Sequence, residues 1–587
     1  MPLLPCATFS LHRLFPFLPH PRHPPRSHTG SDPLLREFVK GEQPFLPHPP
    51  FRGLTGWRDP FLIGRPGDGR HDRWAIIFGS GFDRTGPSPD KQAGAALVYT
   101  SEKPTSGWEY VKPLCVGDGS TGGMWECPLM ARVPVHPSAS KDDAASLLQK
   151  DGEPTYVLMV CPDNPWTPKN VAVYYLGQYN PKELSFDIKN AAGPNPADLG
   201  DHTFYAANVL TNDPKGRLVL FGWIQETGRY PGKHEYSACL SLPRMLWLHP
   251  SAPGRLWQEP LDVLVNLRKA SWLWQGAPKG VGLSAGWRQL TAEGHAPPPT
   301  EATTSAPAQV PPPEVAHPGG EGGKMPLVPG QSVTLPPEVR NSQHLEIEVT
   351  LHPPEQLVSG KVAKSGILFR SAPLTTPPTE GEACGRFGAA LLYDWRNNRL
   401  DVVYPDATVP LEKLCDMPLS GLKSMSRAAH VFVSSHGSDA YEDVDVGKDP
   451  EMHEVAYTPI HGTEEHAGMP HETTLHQPID IRGCHAIGGH LRNMPKTGAL
   501  RPIRLRIFLD FSLVEAFTST GIDVGEKSSA TNPRVFAILE PASVGIAASA
   551  SDVRVQALGM IWGGAEGLAD LEQKLGARHA TAHPAAL

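Results

Sequence analysis

The stretch Trp74-Ala75-Ile76-Ile77-Phe78 sets the fold class, because a short apolar run bounded by turn residues is typical of a buried β-strand. Similar runs recur on both sides of it, between Gly-Ser-Gly, Asp-Gly and Asn-Asp-Pro sequences that indicate turns. They lie at residues 95–99, 156–160, 172–176 and 217–223. Strands at this density, in a chain with 57 Gly and 64 Pro residues, predict an all-β protein.

A second series of strands follows a tract without apolar periodicity. Residues 293–326 are rich in Pro, Ala, Thr and Gly and cannot bury enough apolar surface to offset their ordering entropy, so we interpret them as a disordered linker. Further strands are predicted at residues 345–351, 366–370, 388–393, 400–404, 505–509, 513–517, 535–539 and 553–558.

A polar, His-rich region near residues 435–497 interrupts this second series. Imidazole is a common metal ligand, but the spacings of these histidines match no compact ligand pattern. We therefore favour an exposed insertion loop over a metal site and expect no metal or other cofactor in this protein.

Composition excludes some classes of function. The 587 residues suffice for two or three domains, and the net charge of -8 is mixed along the chain without the basic stripe of a nucleic-acid-binding protein. No apolar run reaches the length of a membrane helix, so no membrane partner is expected. The eight cysteines show neither metal-site spacing nor the density of a disulfide scaffold. Residues 1–30 make a poor secretory signal, which leaves the localisation open.

Two short motifs carry the candidate chemistry, Trp57-Arg58-Asp59-Pro60 and Trp125-Glu126-Cys127-Pro128. Each sets a carboxylate beside aromatic and proline residues in a strand-rich region. Two carboxylates near one bond are what glycoside hydrolysis requires, because one protonates the leaving oxygen while another attacks or stabilises the sugar cation. Residue type alone leaves the alternative of two unrelated surface or turn acids, since carboxylates are mostly exposed.

The order of the surrounding segments resembles glycoside hydrolase family 32, which contains the invertases, inulinases and levanases. After the Arg-Asp-Pro and Glu-Cys motifs, the matching segments are Phe204-Tyr205-Ala206-Ala207, residues 216–224, Leu240-Ser241-Leu242-Pro243-Arg244 and residues 505–517. Each piece is weak evidence alone, whereas five pieces in family order, with residues 204–207 and 216–224 counted as one stretch, are strong. Phe511 departs from the pattern, because relatives usually have Asp-Arg-Ser there. An arabinanase-like hydrolase is an alternative, because it has a five-bladed β-propeller as family 32 does. The Glu-Cys motif and residues 505–517 argue against it.

The resemblance implies a five-bladed β-propeller followed by a C-terminal β-sandwich. We assign residues 1–30 to an unstructured or incorrectly predicted N-terminus and residues 31–292 to the propeller, with its first blade incomplete. Residues 293–326 form the linker, and residues 327–565 form the sandwich with its His-rich insertion.

The resemblance also implies roles for the motif residues. Glu126 is the expected general acid/base, with its pKa raised through shielding by Trp125. Asp59 is expected to hold the sugar ring and stabilise the oxocarbenium-like transition state, and Arg58 to orient Asp59 or a sugar hydroxyl. Cys127 is expected to pack against Glu126 or tune it, because no His motif accompanies it as a nucleophile would require.

Further residues are candidates for holding the sugar. Asp198 opens an Asp-x-Gly segment ahead of Phe204, as a sugar-binding Asp does in relatives, and Asp201 is its rival because the spacer is longer here. Four aromatic residues are candidates for pocket walls, because apolar sugar faces stack on rings, although core packing is at least as good an interpretation. They are Phe78, Trp125, Tyr205 and Trp223.

The nucleophile of the family is the Asp of an Asn-Asp-Pro-Asn-Gly motif that precedes Arg-Asp-Pro, and this sequence has no such motif there. Asn212-Asp213-Pro214 looks similar but follows residues 204–207, so we interpret it as a hairpin turn. Asp32 is no better substitute. We expect a truncated version of a longer enzyme, whose 587-residue form does not act on sucrose or inulin. The expected partners are sucrose or fructans; the alternative is a catalytically dead fructan-binding relative.

Overall fold

The computed structural model describes residues 44–290, with gaps at 84–91, 120, 164–171, 201–203, 225–238, 251–253 and 275–286 and most of 141–152. Between residues 325 and 562 it describes mainly the strands. The predictions for residues 1–30 and 293–324, and most of those for 435–497, lie outside the described residues. Nearly every regular element in the described part is a β-strand, so the all-β prediction is confirmed. No helix in that part is long and apolar enough to cross a membrane.

The first half of the described chain forms three separate antiparallel sheets. The first contains β1 Leu54–Gly64, β2 Trp74–Asp83, β3 Gln92–Ser101 and β4 Glu109–Val116. The second contains β5 Met124–Arg132, β6 Tyr156–Asp163, β7 Val173–Gly177 and β10 Ala192–Pro196, beside the small hairpin β8 Tyr179–Asn180 and β9 Ser185–Phe186. The third contains β11 Phe204–Leu210, β12 Leu218–Ile224, β13 Cys239–Leu240, β14 Arg244–Trp247 and β15 Trp257–Pro260.

The second half forms two larger sheets after a 3-10 helix, η1 Asp262–Leu267. The nine-stranded sheet contains β16 Arg268–Trp274, β17 Trp287–Leu290, β18 Met325–Pro326, β20 His344–Leu351, β27 Ile503–Asp510, β28 Leu513–Thr520, β29 Ser529–Ala530, β30 Arg534–Ala537 and β32 Arg554–Trp562. The eight-stranded sheet contains β19 Ser332–Thr334, β21 Lys364–Ser371, β22 Gly388–Asp394, β23 Arg399–Tyr404, β24 Lys423–Ser424, β25 Ile479–Ile481, β26 Cys484–His490 and β31 Pro541–Ala548. Every strand predicted from the sequence falls on one of these elements.

The three small sheets are consecutive along the chain, as blades of a propeller are. β5 contacts both β1 and β11, so the first strands of the three sheets lie side by side. Two apolar clusters hold the sheets together: one joins residues of the first and second sheets, and the other joins residues of the second and third. Blades that cover each other's apolar faces in this way are typical of a propeller. The number of five blades stays a prediction.

The predicted boundary between the two domains is wrong at residue 292. Strands β16 and β17 hydrogen-bond into the nine-stranded sheet, where β16 pairs with β32. The reason is burial: Trp272, Trp274 and Trp287 belong to the core that the nine-stranded and eight-stranded sheets share. The predicted linker also ends early, because Met325–Pro326 pairs with β32. A shared core between two sheets is what a β-sandwich requires, and the sandwich itself stays a prediction.

The predicted turn at Gly79-Ser80-Gly81 is also wrong, because β2 continues through it. The glycines are needed for packing between blades. A Cβ on Gly79 would lie 2.2 Å from the Trp125 carbonyl oxygen, and one on Gly81 would lie 1.8 Å from the Gly123 carbonyl oxygen. Glycine in a strand often marks such a close backbone approach, and here it lets β5 of the second blade lie against β2 of the first.

Asp68 stabilises the turn between β1 and β2. Its carboxylate accepts hydrogen bonds from the backbone amides of Arg65, Arg70 and His71 and contacts the His71 ring at 2.8 Å. The other ring nitrogen of His71 lies 2.9 Å from the hydroxyl of Tyr179 on the second blade. Burial alone would raise the pKa of Asp68, but these hydrogen bonds outweigh it and lower the pKa to about 2.

We predict that Asp68→Asn destabilises the protein at neutral pH but not in strong acid. The folded-state pKa lies below the ordinary value of 3.8, so the stabilisation is present above about pH 4 and is lost as the pH falls towards 2. The expected loss in free energy of unfolding at pH 7 is about 1 kcal/mol, because Asp68 is exposed and solvent screens its charge. Chemical denaturation between pH 2 and 7 measures it, with Asp72→Asn as the exposed neighbouring control. A difference between wild type and Asp68→Asn that stays constant with pH would contradict this origin.

Candidate active site

Three sequence motifs occupy the same structural position in three successive sheets. Asp59, Cys127 and Ala206 lie on β1, β5 and β11, the first strand of each sheet, and each strand has a register shift at that point. All three have positive φ, at 55°, 45° and 44°. Leu184 is the one other non-glycine residue with positive φ in the described part of the chain. A bulge re-aims the side chains around it, and such strained backbone clusters at functional sites.

The Arg-Asp-Pro and Glu-Cys motifs interlock across the first two sheets. Arg58 donates from Nη1 to Oε1 of Glu126 at 2.8 Å. In the opposite direction, the backbone amide of Cys127 donates to Oδ2 of Asp59 at 3.0 Å. Arg58 and Glu126 are partly exposed, with 33% and 17% of their side-chain surfaces accessible. The structure therefore brings both candidate carboxylates to one partly open place between two blades.

A third sheet contributes a further hydrogen bond to Glu126. The hydroxyl of Tyr205 donates to Oε2 of Glu126 at 2.7 Å, so each carboxylate oxygen has its own donor. Burial raises the pKa of Tyr205, and the nearby Cys161 and Glu126 raise it further, so the phenol stays protonated and remains a donor. The sequence predicts only a pocket wall for Tyr205, and the structure makes it a direct partner of the candidate acid/base.

Two thiols lie beneath the carboxylates. The sulfur of Cys127 is 3.6 Å from Oδ2 of Asp59. Its hydrogen bond with Cys161 raises the pKa of Cys127, and burial and the charges of Asp59 and Glu126 raise it further. A protonated thiol is a poor nucleophile, which agrees with the packing role expected for Cys127. The thiol thus contacts Asp59 and lies near the charge of Glu126, and its expected packing against Glu126 stays a prediction.

Arg58 and Cys161 each change the interpretation made from the sequence. Arg58 is expected to orient Asp59 or a hydroxyl, but its guanidinium pairs with Glu126. Cys161 is not a candidate from the sequence at all, although it is the β6 residue paired with Glu126. The single signal that could have found Cys161 is this pairing, because residues facing each other across two strands share one face of the sheet.

The Asp198 carboxylate is engaged by the protein itself. Its Oδ1 accepts the backbone amide of Gly200 at 2.8 Å, and its Oδ2 lies 3.0 Å from Nη2 of Arg244. The side chain is 7% exposed. Its proposed sugar contact stays a prediction, and Asp201 lies outside the described residues.

The aromatic candidates divide into core and site residues. Trp125 is fully buried and donates to the Thr121 carbonyl, while the buried Phe78 stacks on Trp57 at 4.8 Å. Rings enclosed in this way have no open face for a sugar, so we assign both to the core. Trp223 is half-buried and pairs across the strands with Tyr205, which places it on the same sheet face as the site.

The Asn-Asp-Pro sequence at residues 212–214 is a hairpin turn between β11 and β12, as the sequence predicts. The Asp213 carboxylate accepts the backbone amide of Lys215 at 2.9 Å and pairs with the Arg217 guanidinium at 2.7 Å. The Arg217 hydrogen bond is the main cause that lowers the pKa of Asp213. This carboxylate is therefore committed to its own turn. Among the described residues, no cluster of His, Cys, Asp and Glu is suited to hold a metal ion.

We predict that Ala206→Gly stabilises the protein, because glycine adopts positive φ without the strain that a Cβ introduces. The expected gain in free energy of unfolding is up to about 1 kcal/mol. The matched control is Ala207→Gly on the same strand, a buried position without positive φ, which should lose stability. Thermal unfolding of both variants measures the effect. A lower melting temperature for Ala206→Gly would argue against strain at this bulge.

Comparison with known proteins places this arrangement in a family context. Residues 27–260 match the family model described as the glycosyl hydrolases family 32 N-terminal domain. The β-fructofuranosidase insoluble isoenzyme CWINV6 of Arabidopsis thaliana is 29% identical over 254 residues, which are 41% of this chain and 41% of that protein. The acid β-fructofuranosidase of Vigna radiata var. radiata is 30% identical over 249 residues, which are 41% of this chain and 35% of that protein. The matches thus span about two fifths or less of these relatives' lengths.

Solved structures show the same fold. Fructan 1-exohydrolase IIa from Cichorium intybus has a TM-score of 0.50 at 17% identity and covers 91% of this chain and 76% of its own. Fructofuranosidase from Schwanniomyces occidentalis, complexed with fructose, has a TM-score of 0.50 at 11% identity and covers 89% and 73%. At these identities the likeness concerns the fold alone.

Proposed function

For this β-fructofuranosidase-like relative of glycoside hydrolase family 32, we propose a site that acts on β-fructofuranosyl bonds of sucrose or fructans. Glu126 is the proposed general acid/base of a retaining double displacement. The observation that carries the proposal is the convergence of three sheets on one carboxylate, with Arg58 and Tyr205 on its two oxygens and Asp59 held beside it.

The surroundings of Glu126 suit a group that must give up and regain a proton. The two donors stabilise the carboxylate that remains after the leaving oxygen has been protonated, and both hold its orientation. In the second step the same carboxylate takes a proton from water, as microscopic reversibility requires. The protonated phenol and the guanidinium cannot themselves accept a proton at neutral pH, so the Glu126 carboxylate is the base among these three groups.

Asp59 is the proposed grip on the fructosyl ring. Its Oδ2 accepts the Cys127 amide, while a carboxylate has further lone pairs for sugar hydroxyls. A carboxylate next to the sugar also favours the positive charge of an oxocarbenium-like transition state. Holding Asp59 in a strained backbone conformation fixes this charge before the substrate arrives.

The second carboxylate of a retaining mechanism is the open part of the proposal. It must lie about 5–5.5 Å from the acid/base. The sequence lacks the family's Asn-Asp-Pro-Asn-Gly motif before Arg-Asp-Pro, and Asp213 is committed to a hairpin turn. We therefore propose that the 587-residue chain holds a fructosyl unit but releases little or no fructose, since loss of a nucleophile costs orders of magnitude in rate.

A second candidate function follows from the same observation. The chain retains Asp59 and Glu126 with its two donors but lacks the family's nucleophile motif. Such a chain is suited to bind fructans as a non-hydrolytic protein. Binding needs the hydrogen bonds of the site, whereas turnover needs the covalent step as well. The two candidates therefore differ in whether any hydrolysis accompanies binding.

We predict that the purified chain binds a short fructan such as 1-kestose and that Asp59→Asn weakens this binding. Calorimetric titration measures binding, and a fructose-release assay runs in parallel. Binding without release favours the non-hydrolytic function. Release that falls by about 10²–10⁴-fold in Glu126→Gln establishes the hydrolase and overturns the proposed inactivity. The matched control is Asp187→Asn, an exposed turn residue whose carboxylate pairs with Asn190. If the wild-type chain shows no binding and no release, both candidate functions are overturned.

A further inference from the structure

A buried arginine joins the third blade to the C-terminal sheet. Arg244 of β14 has a side chain that is 0% exposed, and its Nη2 lies 3.0 Å from Oδ2 of Asp198 and 3.0 Å from Oε2 of Glu515. Asp198 precedes β11 in the third blade, whereas Glu515 lies on β28 of the nine-stranded sheet. One guanidinium therefore serves carboxylates from both domains. Its Nε and Nη1 have no hydrogen-bond partner in the described part of the chain.

Glu515 uses both carboxylate oxygens on the blade. Besides Arg244, it accepts the backbone amide of Leu242 at 2.6 Å, 273 residues away in sequence. Burial raises the pKa of Glu515, while Arg244 and the Leu242 amide act against this and favour the charged form. Its neighbours Val514 and Ala516 face the core shared by the two large sheets. The alternation of β28 thus points Glu515 away from its own core and onto the propeller.

The same guanidinium packs on the strand that carries Tyr205. Arg244 lies over the ring of Phe204 at 4.4 Å and near that of Phe517 at 5.5 Å. The Phe204 ring also lies close to Gly222, where a Cβ would fall 2.2 Å from it. Phe204 is therefore in contact with both Gly222 and Arg244. The next residue, Tyr205, is the donor to Glu126.

We propose that Arg244 and Glu515 are positioning residues, through which the C-terminal sheet fixes Phe204 and thereby holds the Tyr205 hydroxyl on Glu126. This gives a role to two sequence segments that the candidate site leaves unused, residues 240–244 and 505–517. The importance of this positioning for catalysis rests on the proposed function. The structural link from Glu515 through Arg244 and Phe204 to Tyr205 does not. A purely structural role for the ion pair would lower stability without changing the surroundings of Glu126.

The first test measures whether a change on β28 reaches β11. Glu515→Gln keeps the shape of the side chain and an acceptor for the Leu242 amide, and Asp198 remains to neutralise Arg244. Hydrogen–deuterium exchange of peptides covering residues 204–210 should become faster by on the order of 10-fold in this variant. Glu348→Gln is the matched control, because it removes a buried carboxylate of the same sheet that pairs with Arg504, Arg268 and Arg506 and not with Arg244. Unchanged exchange at residues 204–210, or an equal change in both variants, would overturn the inference.

The second test measures the titration of Glu126 directly, by ¹³C-carboxyl NMR with Glu126→Gln to identify its signal. The groups that face this carboxylate are Arg58 and Asp59 of β1, Cys127 of β5, Cys161 of β6 and Tyr205 of β11. If Glu515 holds the Tyr205 hydroxyl in place, Glu515→Gln should move the midpoint to higher pH by up to about one unit, and Tyr205→Phe should move it in the same direction.

The combination with Tyr205→Phe separates positioning from other effects. In the double variant Glu515→Gln/Tyr205→Phe, the midpoint should move no further than in Tyr205→Phe alone, because both changes remove the same hydrogen bond. Arg244→Lys provides a second route, because lysine keeps the charge but loses the planar stacking on Phe204. An unmoved midpoint in both single variants, or additive shifts in the double variant, would refute the positioning role. Neither measurement needs turnover, so an absence of fructose release would count against the proposed function alone.

Discussion

The candidate site depends on the crossed contacts between Arg58-Asp59 on one blade and Glu126-Cys127 on the next. Each dipeptide donates one hydrogen bond to the other, from the Arg58 guanidinium to Glu126 and from the Cys127 backbone amide to Asp59. Neither carboxylate can be displaced without breaking a contact to the other blade. This reciprocity requires that both strands bulge at the same height, and both do so at residues with positive φ. The strain is local, and the packing of the surrounding blades keeps it in place.

Much of the fold follows from the sequence because strand formation here is governed by local apolar patterning. Each predicted strand was found, since runs such as residues 74–78 bury almost every side chain. The failures have a common cause, which is packing between distant segments. Gly79-Ser80-Gly81 has the composition of a turn, but the backbone at Gly123 and Trp125 occupies the space where side chains of the two glycines would lie. Strands β16 and β17 follow the three small sheets in sequence, but their tryptophans fill the core that the two large sheets share. Long-range contacts of this kind leave no signal in a local pattern.

The candidate site shows the same division. The sequence order singled out Glu126 and Asp59 as candidates, and the structure brings their two motifs into contact. The partners of Glu126 were not predicted, because Arg58 and Tyr205 reach it from two other blades, 68 and 79 residues away. The sequence predicts shielding by Trp125, which would disfavour a charged carboxylate, but Trp125 faces the core. Arg58 and Tyr205 have the opposite effect, because both donate hydrogen bonds to the ionised form.

The contact between the domains has an electrostatic logic that differs from that of the site. Arg244 and Glu515 are almost wholly removed from water, and Asp198 nearly so, so their desolvation cancels much of their mutual attraction. A well-packed apolar contact would hold two domains together at least as well. A charged contact in addition fixes the relative orientation of the two parts. A guanidinium meets its carboxylates in a fixed geometry, whereas apolar surfaces can slide. This orientation matters for β11, because the same guanidinium covers Phe204 and the next residue, Tyr205, donates to Glu126. The buried charges are therefore better explained by the precise placement of β11 than by the strength of domain docking.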